Sequence, residues 1–119
     1  MNFYLAKIVY RIICGEGNHT GQFDEQLRLV AAANKKDAFQ KAQFIGTQEE
    51  EFFFNDRQQL VQWQFIDVCA LYKLSELIDG AELYSRIEET ENADAYIDII
   101  HKKGEQIRSG NTLEILDLA

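Results

Sequence analysis

Cysteine is scarce in this chain, basic residues are outnumbered, and long apolar runs are missing. Only Cys14 and Cys69 occur, each inside a strand-like apolar run and neither in a CxxC or other short metal spacing, so both read as buried thiols in a reducing cytoplasm. No window approaches the roughly eighteen continuous apolar residues that a membrane span needs. Lys7 and Arg11 interrupt the N-terminal apolar residues, which reads as a strand and leaves no signal-peptide pattern. The expectation is a cytoplasmic protein with no membrane partner.

The shortage of bases has its own consequence. Twenty Asp and Glu against twelve Lys and Arg give a net charge of −8, which opposes phosphate backbones and excludes nucleic acid as an expected partner. Residues 1–59 carry seven bases and eight acids, net −1, whereas residues 60–119 carry five and twelve, net −7. A basic protein would be steered to the second half.

What is present is a one-domain length, 119 residues with 46% hydrophobic content, long enough to bury about two-thirds of its unfolded surface. A single domain over residues 1–119 is expected. From Phe3 to Cys14 the residues alternate, with Tyr4, Ala6, Ile8, Tyr10 and Ile12 on one face and Phe3, Leu5, Val9 and Ile13 on the other. A strand apolar on both faces belongs at the centre of a sheet. Gly15 to Gln22 supplies turn residues, and Phe23 to Ala33 returns as the second strand of a hairpin. Asn34 followed by Asp37 predicts a helix start, with Ala38, Phe39, Ala42 and Ile45 on one stripe. Gly46 weakens that helix, and Gln48 to Phe54 either continues it or forms a separate short segment.

Leu60 to Leu74 reads as a second strongly apolar strand, Ser75 to Gly80 as a turn, and Ala81 to Glu89 as a charged edge strand. Thr90 or Asn92 caps a last amphipathic helix ending at Gly104 or Gly110. Beyond it Leu113, Ile115, Leu116 and Leu118 form an apolar tail that docks or adds a strand. The order β-β-α-β-β-α predicts an α+β fold: a four-stranded antiparallel sheet with two helices on one face. Phe3, Leu5, Val9, Trp63 and Phe65 would then lie on the other face, to be covered by a second copy or by the C-terminal tail. A homodimer is the expectation.

The segments YLAKIVYRIICGEGNHTGQFDEQLRLVAAANKKDAFQKA, WQFIDVCALYKL and ELYSRIEE resemble the bacterial domain-of-unknown-function family numbered 4288. Tyr4, Ala38, Ala42, Trp63 and Phe65 fit its pattern, with Phe3-Tyr4 where Trp-Tyr is usual. These are packing positions, so the resemblance implies a fold and brings no catalytic residue or cofactor.

Chemistry is concentrated at few places. His19, in a glycine-rich loop, is the most reactive-looking group, and with Glu16, Tyr10 and Arg11 it makes the candidate set for a small-molecule pocket or enzyme site. The bland reading is a solvated turn histidine. The glycines match neither phosphate-loop pattern. Cys14 and Cys69 with His19 or His101 lack zinc spacing, so no metal or cofactor is expected. Glu88, Glu89, Glu91, Asp94 and Asp98 form an acidic cluster that suits a basic partner, or is an ordinary solvated face beside a helix N-terminus. The leading expectation is a small interaction or regulatory module without catalytic activity. The alternative is a small-molecule-binding protein or enzyme with its pocket near the first hairpin loop.

Overall fold

A computed structural model describes residues 1–110. They form β1 (Asn2–Cys14), β2 (Gln22–Ala32), α1 (Lys35–Gln48), β3 (Glu51–Phe54), β4 (Leu60–Leu74) and α2 (Ala93–Arg108). The strands make one antiparallel sheet in the order β2-β1-β4-β3, so the expected fold class and the order β-β-α-β-β-α both hold. The strand apolar on both faces, β1, lies inside the sheet between β2 and β4.

By its contacts the chain, expected as one domain, divides into two compact units, one ending at residue 85 and the other beginning at residue 86. The first contains the sheet and α1. The second contains α2, capped by the Asn92 side chain, which accepts from the Ala95 amide at 3.0 Å, and followed by Gly110 at φ 84°. Its apolar residues Tyr96, Ile97, Ile100 and Ile107 are each about half exposed. The apolar tail Leu113, Ile115, Leu116 and Leu118 lies outside the described residues.

In the first unit α1 starts where the sequence predicts, with the Asn34 side chain accepting from the Asp37 amide at 2.8 Å. Its small residues Ala38, Ala42 and Gly46, spaced four apart, share one buried stripe. That stripe packs on Tyr4, Ala6, Ile8 and Tyr10 of β1, Val30 and Ala32 of β2 and Val68 of β4. Gly46 carries the helix through to Gln48. A Cβ there would stand 2.4 Å from the Phe65 ring, so glycine is what lets helix and strand approach so closely.

Two expectations need correction. The third strand is Glu51–Phe54, and residues 81–90 form no strand. The slot beside β4 is filled by the phenylalanine run, because the Asn55 side chain accepts from the amides of Arg57 and Gln59 and folds a tight β3–β4 hairpin. Tyr84 instead meets Tyr72 edge-on at 5.5 Å on the sheet face opposite α1.

The expected dimer face also divides. Register shifts at two places in the β1–β4 pairing, between Lys7 and Ile8 and between Val9 and Tyr10, bring Val68 onto the α1 face and then cancel, so Trp63 and Phe65 share the face of Leu71. Trp63 and Phe65 lie opposite Ile12 and Tyr10 on the α1 side, and both pack against the core. Phe3, Leu5 and Val9 lie on the other side, with Phe23, Leu29 and Tyr72.

Replacing Gly46 by Ala should cost about 1–3 kcal/mol of overpacking against Phe65, offset by roughly 1 kcal/mol of helix propensity. Urea unfolding of Gly46→Ala should therefore show a net loss of stability. In a Phe65→Leu background the same substitution should become neutral or stabilising, and an equal loss in both backgrounds would refute the ring contact.

Candidate functional site

The first hairpin turns on Gly15 and Gly17, both with positive φ that glycine adopts without strain. This brings His19 back onto the end of β1. The Cys14 amide donates to His19 Nε2 at 3.0 Å, so that nitrogen carries the lone pair. Nδ1 therefore holds the proton, which it donates to the Thr20 carbonyl at 2.9 Å. Both ring nitrogens are occupied by the protein's own backbone. The ring is a clasp for its loop and has no free lone pair for a substrate or a metal.

Around it lies a cleft of about 760 Å³ lined by Cys14, Gly15, Glu16, Asn18, His19, Thr20, Gln22 and Gln59. Cys14 Sγ donates to Gln59 Oε1 at 3.6 Å and accepts from Asn55 Nδ2 at 3.7 Å. The candidate set His19, Glu16, Tyr10 and Arg11 does not converge there, which corrects the expected grouping. Alternation along β1 sends Tyr10 into the core under α1 and Arg11 to the opposite sheet face, where its Nε is buried without a hydrogen-bond partner.

Tyr10 donates its hydroxyl proton to the Gly46 carbonyl at 2.8 Å. Burial raises its pKa above the usual tyrosine value. The Arg28 guanidinium opposes that rise, and the carboxylates of Glu49, Glu50 and Asp24 add to it.

Beside Tyr10 runs a polar chain that sequence reasoning missed. Trp63 Nε1 donates to Asp24 Oδ2 at 3.3 Å, and Gln26 Nε2 donates to the same oxygen at 2.7 Å. Arg28 donates from Nε and Nη2 to Gln26 Oε1 at 3.1 and 2.8 Å, and Nη2 meets the Glu49 carboxylate at 2.6 Å. The chain ties β4 through β2 to the C-terminal end of α1, where a guanidinium also suits the helix dipole. Its signal was available: Asp24, Gln26 and Arg28 fall at alternate positions on a strand face that is otherwise apolar. On the other face Lys7 pairs with Glu25 at 3.0 Å, a hydrogen bond that raises the lysine pKa.

Cys14 pairs with Val61, while Cys69 sits at the register shift opposite Lys7 and Ile8, about 20 Å along the strand at 3.3 Å per residue. The two thiols are free, and neither meets the expected burial: Cys14 is half-buried, and Cys69, at the bulge, is exposed. Among the described residues no three His, Cys, Asp or Glu side chains gather to hold a metal. The acidic residues Glu88, Glu89, Glu91, Asp94 and Asp98 are exposed in the second unit. Two of them have local partners, Glu88 with Arg86 at 3.2 Å and Asp98 with Lys102 at 3.0 Å. No described helix is long and apolar enough to cross a membrane.

A model of the family described as Domain of unknown function (DUF4288) matches residues 3–85, the span of the sheet, α1 and the Tyr84 segment. No curated protein and no solved structure matches the chain.

Two substitutions probe these assignments. Tyr10→Phe leaves the buried Gly46 carbonyl unpaired and should cost about 1–3 kcal/mol at neutral pH. An unfolded tyrosine ionises near pH 10 whereas the folded Tyr10 keeps its proton to higher pH, so the wild type should lose stability as pH rises above about 10. The gap between wild type and Tyr10→Phe should narrow there, and a constant gap would contradict the raised pKa. His19→Ala should lower stability by about 0.5–1.5 kcal/mol and speed amide exchange at Cys14, measured by hydrogen exchange.

Proposed function

The chain belongs to the DUF4288 family, and we propose that it is a non-catalytic protein-interaction module that works as a homodimer. The observation that supports this reading is the apolar rim that the β1–β2 half of the sheet presents opposite α1. Phe23 is 58% exposed, Leu29 53% and Phe3 40%. Large side chains left exposed on one face of a small sheet, here Phe23 at one end and Leu29 and Phe3 at the other with the Lys7–Glu25 pair between them, mark a surface that a partner covers. A second copy suits it, because residues 1–59 carry a net charge of only −1 and meet themselves without strong repulsion, while the −7 of residues 60–119 lies in the other half of the sequence. The polar groups that looked reactive support the same reading from the other side. Two of them, His19 and Tyr10, spend their hydrogen-bonding capacity inside the chain.

The second unit supplies a separate surface. Glu88, Glu89, Glu91, Asp94 and Asp98 attract a basic protein, so the module joins its own copy through one unit and a cationic partner through the other. Free cysteines at positions 14 and 69 suit a reducing bacterial cytoplasm as its place of work.

A second reading has the hairpin cleft as its observation: a small polar ligand held among Glu16, Asn18 and Gln59. Thermal-shift screening against metabolites separates the two, since a saturable shift of several degrees belongs only to the ligand reading.

Size exclusion with light scattering should give twice the chain mass at micromolar concentration. A monomer at high micromolar concentration would remove the homodimer.

A further inference from the structure

We infer that two copies join edge to edge along β2, antiparallel about a two-fold axis at Gln26, giving one eight-stranded sheet. This rests on the homodimer reading and adds the surface and the register. Among the described residues β2 is an outer strand, eleven residues long, it pairs with β1 without a bulge, and it contains neither lysine nor proline. Bulge, lysine and proline, three of the devices that protect a sheet edge, are absent from it, and the charges it does carry are Asp24, Glu25 and Arg28.

The backbone identifies which groups are free. Gly15 donates its amide to Leu60, so odd-numbered residues of β1 face β4 and even-numbered ones face β2. The even residues of β2 are thereby bonded to β1, and the backbone groups of Phe23, Glu25, Leu27, Leu29 and Ala31 project outward. Lys41 Nζ caps the Ala31 carbonyl at 3.0 Å, which closes that end. The open stretch is Phe23 to Leu29, and its midpoint is Gln26.

The side chains select the same centre. In an antiparallel pair centred on Gln26, Asp24 stands opposite the second copy's Arg28, and Phe23 opposite the second copy's Leu29. The two most exposed apolar residues of the strand cover each other on one face, and on the other Asp24 and Arg28, which bond within their own chain through Oδ2 and through Nε and Nη2, form two opposite-charge pairs through Oδ1 and Nη1. Shifting the centre to Leu27 would place Asp24 opposite Val30 and Glu25 opposite Leu29, losing both matches. Four outward residues from each copy then complete a ladder.

The test uses the full chain with Cys14→Ser and Cys69→Ser. Oxidised Gln26→Cys should run as a covalent dimer, whereas Asp24→Cys, about 13 Å from its own copy at four residues' separation, should not. Asp24→Arg and Arg28→Asp should each weaken self-association roughly tenfold to a hundredfold by placing like charges opposite one another. Mixing the two variants should restore association as a heterodimer, because every pair is then of opposite charge. Circular dichroism checks that each variant folds, and the cross-link decides if one does not. A wild-type dimer that neither cross-links at position 26 nor responds to the charge changes overturns the edge pairing alone. A monomeric wild type overturns it together with the homodimer.

Discussion

Helix α1 can lie on the sheet only because Gly46 presents no side chain to Phe65. A Cβ at 2.4 Å from the ring is far inside any allowed contact, so either the Phe65 ring or the helix would have to shift. The same glycine offers its carbonyl to Tyr10, which is 1% exposed and meets Phe65 edge-on at 6.1 Å. One backbone position therefore joins β1, β4 and the last turn of α1. Because the helix is held there, Glu49 at its C-terminal end comes within reach of Arg28, and the polar chain back to Trp63 closes. Much of the polar order on this face follows from a single missing methyl group.

Periodicity made part of this visible in the residues. β1, β2 and β4 were legible because alternation and β-branched content speak for strands directly, and the start of α1 because Asn34 and Asp37 satisfy amides that a helix leaves unpaired. Face assignment in β4 was not legible. Alternation groups Trp63 and Phe65 with Leu71, and all three do share a face because the two register shifts between them cancel, but alternation within β4 does not say which face of β1 that is, and the cross-strand register puts it on the α1 side. The edge strand was misplaced for another reason. Ala81 to Glu89 alternates and Glu51 to Phe54 does not, and the choice lies in the local turn at Asn55 and in the tertiary contact of Phe53 with Trp63 at 5.9 Å. At the hairpin tip, the residue types of His19 and its neighbours were plain, but the direction of their hydrogen bonds was not.

The two outer strands differ in a way that bears on assembly. On the β4 side, β3 covers only Leu60 to Trp63, and beyond it the register shifts of β4 disturb the regular edge. On the other side β2 is long, regular and apolar at both ends of its open stretch. Edge protection on one side and its absence on the other is what a sheet needs if it is to add strands in one direction and stop.

The family match ends at residue 85, where the first compact unit also ends. Everything that would make the edge pairing work, β2, the Lys41 cap and the Asp24–Arg28 spacing, lies inside the matched residues. The acidic cluster from Glu88 to Asp98 lies outside them. The proposed self-association would thus draw on the residues that the family model matches, whereas the proposed attraction of a basic partner would draw on a segment this chain carries beyond them. The two surfaces also differ physically: one depends on a backbone ladder and apolar contact, which salt hardly weakens, and the other on exposed carboxylates, which salt screens within about 8–10 Å. Two such contacts can be made and broken independently, which is what a module joining its own copy to a separate partner requires.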